Sequence, residues 1–155
     1  MFPALFFQNI LLFSVLVPIA VMDFFCRRIP NLLLFFGFAG SVLCRLYAGF
    51  EAGTSQMLSA LILSFLAACT AVLVLLPFYY KRMIGGGDVK LISFIMFAFP
   101  SMKGIQILFY MFLTAALWLL ADGRRRDGRM KKQKLGLPLG IYALAGAALE
   151  FLLSL

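Results

Sequence analysis

Gly85-Gly86-Gly87-Asp88-Val89-Lys90 opens an apolar run that continues from Leu91 to Phe99 and stops at Pro100. A carboxylate at the mouth of a hydrophobic segment is costly in or beside lipid, so it is retained where it is paired or used. Asp23 occupies a matching boundary position, at the end of the first apolar segment and just before Cys26-Arg27-Arg28-Ile29-Pro30-Asn31. Two acids at two such boundaries are candidates for one site.

The rest of the chain sets the medium in which those acids work. Apolar residues make up 64% of the 155 and charged residues 13%, and the mean hydropathy is +1.03. That balance is far too apolar for a soluble globular domain. The expectation is an all-α, polytopic integral membrane protein: a single domain over 1–155, with no linker and no internal repeat. Segments near 3–22, 31–50, 56–80, 104–121 and 137–155 approach the roughly 20 apolar residues that cross a bilayer core. The run at 89–99 gives only about 16 Å of helix at 1.5 Å per residue. It is read as a short fourth helix of six, lying in a locally thinned region that water can approach. Met1-Phe2-Pro3-Ala4 lacks a basic leader region, so the first segment is expected to stay as a span.

Charge orients the bundle. Of the fourteen basic residues, all but Arg45 and Lys103 fall in alternate connections: Arg27, Arg28, Lys81, Arg82, Lys90 and the block Arg124, Arg125, Arg126, Arg129, Lys131, Lys132, Lys134. The positive-inside rule makes that face cytoplasmic and sends both termini outward. Arg45, one turn inside its helix, is expected to snorkel to the outer surface. The basic block reads as a cytoplasmic loop beside anionic lipid. It lacks the interleaved aromatics of a single-strand binder, so no nucleic-acid partner is expected.

This topology puts Asp23 and Asp88 on one membrane face. Glu51 lies in an outer turn, Asp122 and Asp127 belong to the basic loop, and Glu150 sits near the outer end of the last helix. Neighbouring carboxyls cannot both ionise at short range, so a pair shares a proton and serves as acid and base together. One takes a proton from water while the other polarises a carbonyl, which is the chemistry of water-mediated peptide hydrolysis. Asp88 opens a helix and has Lys90 nearby, whereas Asp23 closes one. The dipoles of their own helices therefore favour Asp88 as base and Asp23 as proton donor.

In motif order and spacing the chain resembles the type IV prepilin peptidases, intramembrane aspartic proteases with a G-x-G-D motif. The matching residues are Asp23 with Arg28-Ile29-Pro30-Asn31, then Gly85-Gly86-Gly87-Asp88-Val89-Lys90-Leu91, and more weakly Leu137-Pro138-Leu139-Gly140. The resemblance implies an inner-membrane peptidase with Asp23 and Asp88 catalytic, Gly85, Gly86 and Gly87 forming an active-site loop, and a prepilin as substrate. Larger members carry a segment with paired C-x-x-C motifs associated with N-methylation. No such pair stands here, so the resemblance is to the minimal form serving Flp/Tad pili.

Other readings are plainer. Lys90 either anchors the topology or tunes the charge of the acid pair, and Arg27 and Arg28 are mostly anchors. Cys26, Cys44 and Cys69 are widely spaced and histidine is absent, so they read as packing residues, and neither a metal nor any other cofactor is expected. The Gly85–Gly87 run, taken alone, is a turn in which glycine tolerates positive φ. Phe24, Phe25, Phe35 and Phe36 read as lipid-facing surface. Gly37, Ala39, Gly40 and Ser41, with Gly140, Ala143, Gly146 and Ala147, are read as close-packing positions. The rival class is a non-enzymatic transporter or pilus-assembly factor with the acids in a proton-carrying or structural role. No ladder of polar groups and no duplicated halves favour it.

Overall fold

The computed structural model describes residues 2–26, 29–82, 84–123 and 139–153. Each apolar run of the sequence becomes one helix: α1 (Phe2–Cys26), α2 (Asn31–Ala52), α3 (Thr54–Tyr80), α4 (Gly86–Ala98), α5 (Met102–Gly123) and α6 (Leu139–Leu153). No strand occurs among the described residues. Arg27, Arg28, Asp127, the basic residues of 124–134, Leu137 and Pro138 lie outside the described residues, as do the side chains of Glu51 and Asp122.

Local chemistry explains the breaks. Pro30 disfavours helix at Ile29 and lacks an N–H, so α2 begins just after it, at Asn31. Gly53 separates α2 from α3 with φ 101°, a left-handed conformation that glycine alone adopts without strain. Arg82, at φ 55°, turns the chain out of α3. Two ends differ from the sequence reading. α1 runs on to Cys26, past the expected end near residue 22, so Asp23 sits inside its last turn. α4 starts at Gly86, two residues before the Asp88 expected to open it, so Asp88 lies within its first turn.

Among the described residues three helices are long and apolar enough to cross a bilayer: α1 over Phe7–Cys26, α3 throughout, and α5 over Met102–Leu120. The apolar stretches Asn31–Tyr47 and Leu139–Leu153 are shorter. α4 has 13 residues, about 20 Å of helix. It packs against α2, α3, α5 and α6 and buries Leu91, Ile92, Phe94, Ile95, Phe97 and Ala98. Apolar on every side, it is the buried centre of the bundle. α3 is also apolar all round but has a single buried residue, Ser64. It exposes Phe65, Leu73 and Val74, as a lipid-facing helix does. The core joins Leu16 and Ile19 of α1, Phe94 and Ile95 of α4, Met111 of α5, and Ala143 and Ala147 of α6. Gly146 lets α6 touch α5 closely: a Cβ there would stand 2.7 Å from Ile107 O and Met111 N.

The end of α4 remote from Asp88 has a polar cap. A helix leaves its last carbonyls without partners, and α4 ends inside the bundle. Arg45 Nη2 donates to Phe97 O at 3.1 Å and to Ala98 O at 2.8 Å, and the Gln8 side-chain amide also donates to Ala98 O. Arg45 thus turns inward, contrary to the snorkelling expected of it. The negative end of a buried helix, with orphan carbonyls, holds the guanidinium in place. At the same end Lys103 pairs with Glu150 at 3.9 Å.

Candidate active site

Asp23 lies on the last turn of α1, and its residue is only 6% exposed. Burial of a carboxyl requires a hydrogen-bond partner, and the partner comes from the far end of the chain. The Gly140 N–H, in the first turn of α6, donates to Asp23 Oδ2 at 2.8 Å. Because α1 packs along α6, the end of one helix meets the beginning of the other. The first N–H groups of α6 have no intrahelical acceptor, and Asp23 satisfies one of them.

Asp88 is held differently. It occupies the first turn of α4 and reaches back to the Gly85 N–H, which donates to Asp88 Oδ2 at 3.1 Å. In the other direction the Asp88 N–H donates to Gly85 O at 3.1 Å. This is the acidic half of a capping box, with the negative side chain at the positive helix end. Asp88 is half-buried, and its carboxyl and that of Asp23 stand near enough for their charges to interact.

The three sequence motifs converge here. Ile29 packs on Gly87, where an added Cβ would stand 3.3 Å from the Ile29 Cβ. Lys90 Nζ donates to Asn31 Oδ1 at 2.9 Å, tying α4 to the start of α2. The ammonium makes no ion pair with either aspartate among the described residues. The glycines act through their missing side chains and not through unusual backbone. Gly85 has φ −74°, and Gly53 is the one glycine with positive φ among the described residues. At Gly85 a Cβ would come within 3.0 Å of Asp88 Oδ2, and at Gly86 within 3.4 Å of the Tyr79 ring. Phe24, Phe25, Phe35, Phe36 and Tyr80 stay exposed around this end, as interfacial aromatics do.

Gly140 is the residue whose role the pattern gives only in part: it packs closely, as expected, and it also bonds Asp23. It belongs to the weakest of the three motifs and to a stripe of small residues, and was expected to serve packing. Here it touches Asp23 directly. The proline two positions earlier was the available signal, since Pro-x-Gly at a helix start places free N–H groups at a defined point. The same contact offsets the asymmetry expected from the aspartates' own helices. Asp23 ends α1, but it also faces the N-terminus of α6, so both carboxyls sit at positive helix ends.

No cluster of three or more His, Cys, Asp or Glu among the described residues is placed to hold a metal ion. The two carboxyls at this end of the bundle each have one oxygen occupied by a glycine N–H, which leaves a second oxygen for proton exchange. Such a pair is equipped to activate water against a polarised carbonyl.

Fold and site together define a helical membrane protein with two acids brought together at one end of its bundle. The chain belongs to the type IV leader peptidase family, whose model matches residues 10–120. That span includes both aspartates and ends before Gly140. No curated protein and no solved structure shows a significant match to the chain. The chain is therefore a membrane-embedded peptidase of the type IV leader peptidase kind.

Proposed function

We propose that the protein is an aspartic-type endopeptidase that removes the leader peptide of type IV prepilins, of the Flp kind, with Asp23 and Asp88 as its catalytic pair. The observation that carries this reading is that both aspartates, at one end of the bundle, lie within the span matched by the leader peptidase family. In the proposed reaction one carboxylate takes a proton from water while the other, protonated, polarises the scissile carbonyl. The proton then passes to the departing amine, and the pair returns to its starting state with one proton shared. Gly85 and the first two residues of α4, Gly86 and Gly87, form the helix start that seats Asp88, and Lys90 contributes positive charge beside it.

Placement follows from the same reading. All six helices form one inner-membrane domain over 1–155, with both termini outside and the aspartates toward the cytoplasm. The exposed Lys81, Arg82 and Lys90, at the aspartate end of α3 and α4, support that orientation. A substrate with a basic leader in the cytoplasm and an apolar segment in the membrane would present its junction at this depth. The pair of C-x-x-C motifs associated with methylation is absent from the sequence, so the proposed activity is cleavage without methyl transfer. Co-expression with candidate prepilins, followed by mass measurement of the products, tests the reading. A new N-terminus at the leader junction, lost with Asp23→Asn, is the expected result. Intact precursors throughout would overturn it.

A further inference from the structure

We infer that Gly140 is a positioning residue for Asp23, and that helix α6 is thereby part of the active site. The inference rests on the proposed function for its catalytic meaning, but its physical content is a single contact. Gly140 N–H donates to Asp23 Oδ2 at 2.8 Å across 117 residues of chain, in a buried setting.

Three observations converge on that contact. The carboxyl is nearly inaccessible, so its orientation is set by what surrounds it and not by water. The donor is a backbone group in the first turn of a helix, where the N–H has no competing acceptor and is fixed by the helix itself. And a side chain there would be crowded: a Cβ on Gly140 would stand 3.1 Å from both Cβ and Oδ2 of Asp23, and 3.3 Å from Ile19 Cγ2. Glycine lets the start of α6 lie directly against the acid.

The chemical consequence is a division of labour between the two carboxyl oxygens. An oxygen that accepts an N–H presents a lone pair to it, so the proton of a shared pair resides on the other oxygen. Gly140 does for Asp23 what Gly85 does for Asp88. Each aspartate then has one oxygen pinned by a glycine N–H and one left for the water and its partner. Fixing both rotamers before substrate arrives is the preorganisation that acid–base catalysis requires.

The test separates positioning from packing. Proline is tolerated in the first turn of a helix, where its missing N–H leaves no intrahelical gap, so Gly140→Pro removes the donor without breaking α6, while its ring crowds Asp23 at the Cβ as alanine would. Gly140→Ala keeps the donor but adds the crowding methyl, and serves if the proline variant does not fold. Gly146→Ala is the packing control, since it disturbs α6 against α5 and not against Asp23. Infrared spectra of the detergent-solubilised protein with carboxyl-labelled aspartate, differenced against Asp23→Asn, isolate the Asp23 band. That band should move in either Gly140 variant, further in Gly140→Pro, which alone loses the donor, and stay in place in Gly146→Ala, which should only lower the thermal midpoint. For cleavage of a prepilin-type substrate, kcat should fall roughly ten- to a hundredfold in Gly140→Pro, the factor carried by a hydrogen bond to a charged group, with KM within about twofold. An unmoved Asp23 band in a folded Gly140 variant, or an unchanged kcat, would overturn the inference. A moved band in a protein whose wild type cleaves no prepilin keeps the Gly140 contact and overturns the peptidase reading instead.

Discussion

Asp23 and Asp88 are the same residue in seats built by opposite means. Asp88 is held by its own helix start: its partner Gly85 is three residues away, and the bond forms as soon as α4 forms. Asp23 is held by a helix that begins more than a hundred residues later, and its seat exists only once α1 and α6 have packed. One carboxyl is positioned by secondary structure and the other by tertiary structure. On that difference the Asp88 seat should tolerate local displacement better, whereas the Asp23 seat should be vulnerable to anything that moves α1 or α6.

The sharpest attack on this comparison is to remove each acid in turn. Asp23→Asn and Asp88→Asn should each lower kcat by about a thousandfold, within the range that acid–base groups contribute, while the protein still inserts and folds. Because the two act as one unit, the double variant should be scarcely worse than either single one. Purified Asp23→Asn or Asp88→Asn cleaving within tenfold of the wild-type rate would end the idea of a pair.

Next comes the remote end of α4, where Arg45 and Gln8 cap the carbonyls of Phe97 and Ala98. Arg45→Met keeps the bulk and loses two charge-assisted bonds, so it should cost about 2–4 kcal/mol of stability. If the seat of Asp88 is local, kcat of the folded variant should stay within a few-fold of wild type. Thermal unfolding and kinetics on the same preparation check both halves. A folded Arg45→Met protein without activity would show that Asp88 depends on the whole length of α4.

How much of this could be read beforehand divides along the same line. Helix number and the helix-end positions of the two aspartates follow from run lengths and charge placement, which are local quantities. The seat of Asp88 was nearly legible, since a glycine and an aspartate three residues apart spell a helix start. Even so, the glycines read as loop, which puts the start of α4 at Asp88 and not at Gly86. Arg45 was misread because its distance from the end of α2 is visible in sequence, while the carbonyls that attract it belong to another helix. The bond from Gly140 to Asp23 escapes the sequence for the same reason. Neither hydropathy nor periodicity says which helix end will meet which.

A smaller effect should follow from crowding the local seat. In Gly85→Ala the new Cβ would stand 3.0 Å from Asp88 Oδ2, but Gly85 is exposed and its backbone is extended, so the turn has room to shift. An off-rotamer carboxyl costs about 0.5–1.5 kcal/mol, which predicts a two- to tenfold loss of kcat with KM unchanged. Gly140→Pro should be the more damaging of the two glycine substitutions. If Gly85→Ala proves the worse one in steady-state assays, the contrast between the local seat and the packed one is backwards.

The smallest effect concerns the strut between α2 and α4. Lys90 Nζ and Asn31 Oδ1 are 2.9 Å apart, but the bond lies in an exposed setting, where solvent competes and the net worth of such a contact is about 0.5–1 kcal/mol. Lys90→Met and Asn31→Ala should each destabilise slightly, and the double variant should lose less than the sum, giving a coupling of that size in a double-mutant cycle. The cycle also separates the two roles proposed for Lys90. As a strut alone, Lys90 would be matched by Asn31→Ala in its effect on kcat, because both changes release the same bond. If its charge also acts on the aspartates, Lys90→Met should depress kcat further than Asn31→Ala, and the excess should shrink as salt screens it. Equal losses at every ionic strength would reduce Lys90 to a mechanical tie that holds Asp88 toward Asp23.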